Sequence, residues 1–149
     1  MPEIIIFVGI PNSGKTTFRK KFEHISHAIL CRDDVRDSLF KDYRYTKNNE
    51  DKVTRIINAD FDILTRFKSN IIIDQTNCKT SYIDEWLKRI PEGYVVKIKF
   101  FDIPLWQAHV RNILRWVKCG KWIPLKIMNQ MYKNYQKLDK KKYEHLFYV

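Results

Sequence analysis

A glycine-rich segment, GIPNSGKT at residues 9–16, follows the apolar run IIIFV and precedes the helix-like TTFRKKFE. Its spacing, Gly9-x4-Gly14-Lys15-Thr16, is that of a phosphate-binding P-loop. Glycines let successive backbone N–H groups turn inward around phosphate oxygens, and the N-terminus of the following helix adds a favourable dipole. The motif therefore predicts a buried parallel strand, a tight loop and a helix at the start of the chain.

The same motif predicts the ligand, which is ATP or another nucleoside triphosphate together with Mg²⁺. Lys15 is expected to reach the phosphate that is transferred, and the Thr16 hydroxyl is expected to bind Mg²⁺. The predicted nucleotide site also includes the rest of the loop and the start of the helix, namely Gly9, Pro11, Asn12, Ser13, Gly14 and Thr17. Phosphoryl transfer, simple hydrolysis and a non-catalytic, nucleotide-dependent binding module all remain open at this point.

Strand-like and helix-like segments alternate along the chain. Continuous apolar, β-branched runs predict buried strands, at residues 3–8, 28–31, 70–74 and 94–101. Apolar residues at helical spacing predict helices, at residues 16–23, 33–40, 50–67, 81–89, 105–117 and 124–138. The tail KKKYEHLFYV contains aromatic residues and is expected to pack on the core. This alternation is typical of an α/β fold with a central parallel sheet of about four strands and helices on both faces.

Length and composition define the broad class of the protein. The 149 residues suffice for a single domain, residues 1–149, with a sizeable core. No apolar stretch approaches the ~20 residues that cross a bilayer, and no basic leader precedes the first strand. A cytoplasmic protein without membrane association is therefore expected. The cysteines at positions 31, 78 and 119 share no C-x-x-C motif and are expected to be thiols.

The net charge of +11 is concentrated in the second half of the chain. Residues 1–78 contain 13 Lys and Arg against 11 Asp and Glu, whereas residues 79–149 contain 15 against 6. A basic half attracts polyanions such as nucleic acids, because phosphate contacts are strong and independent of sequence. A merely solvated basic surface is the alternative interpretation.

A segment rich in charges, CRDDVRDSLF at residues 31–40, follows the second predicted strand. Ligands of open α/β sheets bind beyond the carboxyl ends of the strands, so Asp33 is expected to face the same cleft as the P-loop. A carboxylate there could accept the proton of an acceptor hydroxyl, and Arg36 would share its helix face. Capping of the helix N-terminus is the alternative for Asp33, and Asp34 could divide the two tasks with it.

The end of the third strand is also expected at the cleft. In IIIDQTN, residues 71–77, the polar side chains are Asp74, Thr76 and Asn77. An ordinary polar turn after a strand would have the same composition, so the segment alone leaves a structural role open.

A predicted helix carries two arginines. In DIPLWQAHVRNILRWVK, residues 102–118, Arg111 and Arg115 are four residues apart and project from one side of that helix. Such a helix could close over a triphosphate and neutralise the charge that develops during transfer. A basic face exposed to solvent is the alternative.

Taken in order, these segments resemble those of a known family. GIPNSGKTTF, RDDVRDS, the YRYTK of residues 43–47, IIIDQTN and the D-x-P…RN-x2-R helix occur in the same order in phage polynucleotide kinases, and the similarity extends from Ile4 to about Leu138. The resemblance implies a P-loop NTPase fold of the adenylate-kinase-like type with a helical lid. It also implies transfer of the ATP γ-phosphate to 5′-hydroxyl ends of DNA or RNA, with Mg²⁺, in the repair of nucleic-acid ends.

The resemblance assigns roles to single residues as well. Lys15 resembles the P-loop lysine, and Asp33 resembles the general base. Arg36 resembles the residue that holds the 3′-phosphate of the acceptor, and Arg115 resembles a lid arginine that contacts donor phosphates. The remaining residues expected at the two substrates are Arg32, Asp74, Thr76 and Asn77 at the acceptor and Arg111 at the donor.

Two departures from the family pattern are visible. Gln75 separates Asp74 from Thr76, as in the D-x-T-N form of related kinases, and residues 116–123 are expected to form a longer loop than usual. Two alternative functions remain. A P-loop kinase of a nucleoside or small metabolite predicts a more closed and less basic site. A nucleotide-dependent nucleic-acid binding module predicts that no phosphate is transferred to an oligonucleotide.

Overall fold

Four parallel strands form the central sheet of the molecule, which the computed structural model describes for residues 1–22 and 27–149. Their bounds are β1 Glu3–Val8, β2 His27–Cys31, β3 Asn70–Asp74 and β4 Val95–Phe100. The strands lie in the order β2-β3-β1-β4, and every pairing is parallel. The predicted α/β fold is confirmed, and each strand end lies within one residue of its predicted position.

Within the described residues, six α-helices and one 3-10 helix accompany the sheet. They are α1 Lys15–Arg19, α2 Arg32–Leu39, α3 Lys47–Arg66, α4 Thr80–Arg89, α5 Leu105–Cys119, α6 Leu125–Gln136 and the 3-10 helix Lys140–Leu146. Helix α1 ends earlier than the prediction of 16–23, because residues 20–22 form a turn, and position 23 lies outside the described residues.

Two helices extend beyond their predicted bounds for local reasons. Helix α3 begins three residues earlier than predicted because the Thr46 side chain caps it, accepting a hydrogen bond from the Asn49 backbone N–H at 3.1 Å. Helix α5 continues to Cys119, so the predicted loop at 116–123 is wrong for its first four residues. Gly120 ends this helix with φ 70°, a left-handed conformation common at helix C-termini.

The central strand β1 is buried on both faces of the sheet. On one face Ile4, Ile6 and Val8 pack against apolar residues of helices α3 to α6. On the other face Ile5 and Phe7 join a smaller cluster, which includes Phe18 of α1, Phe101 and Tyr148. Helices therefore cover both faces of the sheet, as predicted, and the continuous apolar run of β1 reflects this double burial.

The strand order positions the P-loop. Strand β1 lies between β3 and β4. From β1 the chain runs to β2 on one side of it, and after β3 the chain passes over β1 to reach β4 on the other side. Such a reversal opens a crevice at the carboxyl ends of the strands, where ligands of α/β sheets bind. A backbone hydrogen bond from Gly9 N to Thr76 O at 2.9 Å joins the loop after β1 to the loop after β3.

The C-terminal segment packs on the rest of the molecule, as expected. Tyr143 is buried, and its hydroxyl donates to Asp84 of α4 at 2.7 Å. Cys31, Cys78 and Cys119 are free thiols, in agreement with the prediction from their spacing. Among the described residues, none of the helices combines the length and the apolar character that a membrane crossing requires.

Candidate active site

The P-loop requires glycine at two positions. A Cβ atom on Gly9 would lie 2.7 Å from Ser13 Oγ and 2.9 Å from Phe101 Cβ, so a larger residue does not fit without displacing its neighbours. Gly14 has φ +100°, a conformation that residues with a Cβ rarely adopt. These two positions give the loop the tight curvature that a phosphate cradle of backbone N–H groups needs.

The Lys15 side chain lies inside this loop. Its Nζ donates hydrogen bonds to the carbonyl oxygens of Gly9 at 2.9 Å and Ile10 at 2.7 Å. Burial lowers the pKa of the ammonium group, while the negative charge of Asp74 opposes that effect. The loop thus holds a largely desolvated cation, whose electrostatic attraction for a phosphate is stronger than it would be in water.

Hydroxyl and carboxylate oxygens of the cleft suit a nucleotide-bound Mg²⁺. Thr16 and Thr17 are exposed on the first turn of α1, and they line the same cleft as Asp34 and Asp74. Mg²⁺ commonly takes one or two protein oxygens and completes its shell with phosphates and water. In residues 1–22 and 27–149 no group of three or more His, Cys, Asp or Glu side chains is arranged around a common metal position. Thr16 therefore stays the predicted protein ligand, and a carboxylate of the cleft is a candidate for the second.

The Asp74 carboxylate is buried at the end of β3 and bound by Arg19. Arg19 Nη1 donates to Asp74 Oδ2 at 3.0 Å and also lies 3.0 Å from Asp34 Oδ2. Burial raises the pKa of Asp74, and the positive charges of Lys15 and Arg19 act in the opposite direction. Arg19 was not among the predicted site residues. Its position four residues after Lys15 on α1 places it on the same helix face, and this spacing was the signal available.

Thr76 and Asn77 support the P-loop directly. The Asn77 side chain is buried, and its Nδ2 donates to the Phe7 carbonyl at 2.8 Å, across the end of β1. Asn77 also has φ 46°, a backbone conformation that asparagine adopts more readily than most residues. Thr76 accepts the backbone hydrogen bond from Gly9 through its carbonyl oxygen. Both residues line the cleft, so their predicted contact with the acceptor stays a prediction beside this structural role.

Asp33 faces the cleft and does not cap helix α2. The residue preceding this helix is Cys31, and no side chain caps its N-terminus. Asp33 Oδ1 instead accepts a hydrogen bond from Arg36 Nη1 at 2.7 Å, and 60% of the Asp33 side chain is exposed. The capping alternative is thus not realised, and the carboxylate is accessible to a ligand in the cleft.

Glu50, at the start of α3, holds the two arginines of α2. Its Oε2 accepts from Arg32 Nη2 at 2.6 Å, and its two oxygens accept from Arg36 Nε and Nη2 at 2.9 and 3.0 Å. Partial burial raises the pKa of Glu50, but the hydrogen bonds from the arginines outweigh it and lower the pKa to about 2. Burial acts to lower the pKa of Arg36. The hydrogen bonds with Glu50 and Asp33 outweigh that effect, so the pKa of Arg36 is raised. Glu50 was not among the predicted site residues, because its partners lie 14 and 18 residues away in the sequence.

The arginines of α5 reach the cleft from the opposite side. Arg111 Nη1 donates to the Asn12 carbonyl of the P-loop at 3.0 Å, and Arg115 lines the cleft one turn further along α5. Asn112 points to the other side of the helix and is fully buried. Its side chain donates to the Ile123 carbonyl at 2.9 Å and accepts from the Ile123 N–H at 3.2 Å. This pair of hydrogen bonds fixes the loop after α5 to the helix itself.

The structure gathers the predicted residues into one cleft of about 2240 Å³. Gly9, the first residue of the loop, does not line the cleft. The other predicted residues do, namely Pro11, Asn12, Ser13, Gly14, Lys15, Thr16, Thr17, Arg32, Asp33, Arg36, Asp74, Thr76, Asn77, Arg111 and Arg115. The glycine-rich loop, an exposed carboxylate and several arginines thus line one cleft. Groups of these kinds occur together in phosphoryl-transfer sites.

Comparison with known proteins agrees with this geometry. The family model AAA_33, described as AAA domain, matches residues 4–138. A protein named as a bifunctional polynucleotide kinase/RNA ligase, from Autographa californica nuclear polyhedrosis virus, is 28% identical over 127 residues. That match covers 76% of this chain but only 18% of the viral protein, so the viral protein contains a great deal that this chain does not.

Solved structures are also similar to this chain. A chain of the Pnkp1/Rnl/Hen1 RNA repair complex superposes with a TM-score of 0.84 and 28% identity, covering 94% of this chain and 46% of that chain. A gluconokinase from Sinorhizobium meliloti superposes with a TM-score of 0.52 at 14% identity, over 89% of this chain and 74% of its own, and this likeness concerns the fold alone. The resemblance to polynucleotide kinases is confirmed, and this chain belongs to the AAA_33 family of AAA domains, with a P-loop kinase fold that implies nucleotide binding.

Proposed function

We propose that this protein is a polynucleotide 5′-hydroxyl kinase, which transfers the γ-phosphate of ATP, or of another nucleoside triphosphate, to 5′-hydroxyl ends of DNA or RNA during end repair. The observation that carries the proposal is that Lys15 in the P-loop and the Asp33–Arg36 pair line the same cleft. The family relationship and the similarity to RNA repair proteins support it.

Asp33 is suited to act as the general base. Its Oδ1 is bound to Arg36, while Oδ2 makes no hydrogen bond or ion pair with any residue in the described part of the chain. In the proposed step Oδ2 accepts the proton of the 5′-hydroxyl as that oxygen bonds to the γ-phosphorus. The bond between the γ-phosphorus and the bridging oxygen breaks, and the nucleoside diphosphate leaves with the electron pair. Lys15 and the arginines of α5 neutralise the charge on the transferred group, and Mg²⁺ would add to this when bound.

Arg36 is suited to select an acceptor that carries a phosphate. A guanidinium group has five N–H donors, and Glu50 and Asp33 take three of those on Arg36. The Tyr43 hydroxyl is a further hydrogen-bond partner of this guanidinium. The guanidinium still has more N–H donors than these partners fill, so it can add a charge-assisted hydrogen bond to a phosphate. An acceptor whose 3′-oxygen is phosphorylated, as in any polynucleotide, would thereby be held with its 5′-hydroxyl near Asp33.

The charge distribution also favours a polyanionic acceptor. The segment 79–149, which has 15 Lys and Arg against 6 Asp and Glu, contributes Lys88, Arg89, Lys99, Arg111, Arg115 and Lys121 to the cleft lining. A kinase of a neutral metabolite would gain little from such a surface, whereas a nucleic-acid strand makes a favourable phosphate contact at each basic residue it passes.

The decisive test offers ATP labelled at the γ-phosphate together with a panel of acceptors. The panel contains 5′-hydroxyl DNA and RNA oligonucleotides, nucleoside 3′-monophosphates, plain nucleosides and gluconate. We expect label on the oligonucleotides and weaker labelling of nucleoside 3′-monophosphates, with none on gluconate. Label on a nucleoside or gluconate without any on an oligonucleotide would contradict the proposal. The Lys15→Ala variant, purified in parallel, controls for a contaminating kinase.

A further inference from the structure

The Arg36 guanidinium lies against an aromatic ring that faces the cleft. Its Cζ atom is 5.1 Å from the centroid of the Tyr45 ring and 6.0 Å from that of Tyr43. The two tyrosine rings meet edge to face, with centroids 5.1 Å apart and planes at 83°. Tyr43 is anchored in turn, because its hydroxyl donates to Glu50 at 3.3 Å. The phosphate-binding candidate Arg36 and the Tyr45 ring therefore form one packed unit.

The Tyr45 ring is held in place and yet largely uncovered. Tyr45 is 73% exposed and lines the cleft. It precedes Thr46, the cap of α3, and the Arg44 carbonyl before it accepts a hydrogen bond from Asn49 Nδ2 at 2.9 Å. A single exposed aromatic residue needs no special explanation. An exposed ring that is fixed by its neighbours and adjoins a phosphate-binding arginine has the composition of a single-stranded nucleic-acid site.

We propose that Tyr45 is the stacking platform for a nucleobase of the acceptor strand, namely a base that adjoins the phosphate held by Arg36. This inference rests on the proposed function and adds to it a binding determinant for the base. The base would lie on the uncovered part of the Tyr45 ring, and Arg36 and Tyr43 support the ring from elsewhere. Stacking on an aromatic ring accepts every base, so the site would bind the acceptor without reading its sequence.

The test compares Tyr45→Leu with Tyr45→Phe and with Phe40→Leu as a matched control. Phe40 belongs to the same aromatic cluster, with a centroid 6.4 Å from that of Tyr43, and is 45% exposed. It does not line the cleft. Each variant is assayed with three 5′-hydroxyl oligonucleotides, of which one is intact, one has an abasic first nucleotide and one has an abasic second nucleotide. The thermal unfolding midpoint of each variant confirms that it is folded.

In the wild type we expect one abasic substitution to raise KM for the oligonucleotide by about 5- to 160-fold, the range of one base–aromatic stack. Tyr45→Leu should raise KM for the intact strand by a similar factor and lose the response to that abasic substitution. Tyr45→Phe and Phe40→Leu should behave like the wild type. The inference is overturned if Tyr45→Leu responds to both abasic strands as the wild type does, or if Phe40→Leu gives the same defect. Failure of the proposed function is distinct, because the wild type would then label no oligonucleotide.

Discussion

Glu50 binds Arg36 through both oxygens of its carboxylate. Arg36 Nε lies 2.9 Å from Oε1, and Nη2 lies 3.0 Å from Oε2. This bidentate pair joins the first turn of α3 to the middle of α2 and fixes the plane of the guanidinium. The remaining N–H groups of Arg36 consequently point in a defined direction, which is what a residue that positions an acceptor needs.

The first prediction concerns the stability that this pair contributes. Because the folded-state pKa of Glu50 is lowered from 4.5 to about 2, the contribution is fully present above pH ~4.5 and is lost as pH falls through about 2. Glu50→Gln should therefore lower the free energy of unfolding at pH 7. The shift sets an upper limit of about 3 kcal/mol, and solvent screening of this partly exposed pair reduces the expected loss to about 1 kcal/mol.

Urea unfolding of the wild type and of Glu50→Gln at pH 7, 5, 4 and 3 measures this difference. It should stay constant down to about pH 4.5 and narrow below it. Glu92 lies exposed in the turn before β4, and Glu92→Gln is the control that should show no difference at any of these pH values. If the difference in free energy of unfolding between the wild type and Glu50→Gln instead widened on acidification, the pKa of Glu50 would not be lowered in the folded protein.

The second prediction separates chemistry from binding at Asp33. Asp33→Asn keeps the size of the side chain and its hydrogen bond with Arg36 but removes the base, so kcat should fall by about 10² or more. The dissociation constant for ATP should hardly change, because the proposed function places Asp33 on the acceptor side of the cleft. Steady-state kinetics and equilibrium titration with ATP give the two quantities. Asp51→Asn, on the exposed side of α3, is the control. If Asp33→Asn turned over at the wild-type rate, the general base would have to be Asp34 or Asp74.

The third prediction concerns the choice of acceptor by Arg36. Arg36→Ala should severely reduce use of oligonucleotides and nucleoside 3′-monophosphates, because it removes the proposed partner of the 3′-phosphate. A plain nucleoside has no such phosphate and should be an equally poor acceptor for the wild type and the variant. Arg36→Lys should rescue little, since a point charge cannot replace the planar fork bound to Glu50. Equal losses for all three acceptors would instead indicate general damage to the cleft.

The fourth prediction concerns Lys15. Lys15→Ala should abolish transfer, because the cation inside the P-loop is removed. The variant should nevertheless fold, since the substitution removes a buried ammonium together with its desolvation cost. Labelled-phosphate transfer and the thermal unfolding midpoint measure the two effects. A folded Lys15→Ala protein with near wild-type kcat would rule out the assignment of the P-loop lysine.

Sequence patterns predicted the sheet and the P-loop because both are local signals. Strand β1 is a continuous apolar run that is buried on both faces, and the glycine spacing of the loop reflects tight local geometry at Gly9 and Gly14. The same patterns correctly placed Asp33 and Arg36 on one face of α2, since spacing on a helix determines which side chains meet.

Such local patterns could not predict contacts between segments that are distant in the sequence. Arg19 reaches Asp74 across 55 residues, and Glu50 meets Arg32 and Arg36 only because α3 packs beside α2. Their partners depend on the packing of helices on the sheet, which no single segment encodes. The loop predicted at residues 116–123 was wrong for a different reason. It was inferred from a length difference, whereas residues 116–119 are compatible with a helix and continue α5 as far as Gly120.

Asn112 ties α5 and the loop after it into a single piece, since its side chain is bound to both the backbone N–H and the backbone C=O of Ile123. Arg111, on this piece, contacts the P-loop. Lys121, on the same piece, lies 3.3 Å from Asp37 of α2, across the mouth of the cleft. A displacement that frees the P-loop from Arg111 would also draw Lys121 away from α2. If the proposed function holds, the nucleotide side and the acceptor side of the cleft would therefore open together rather than independently.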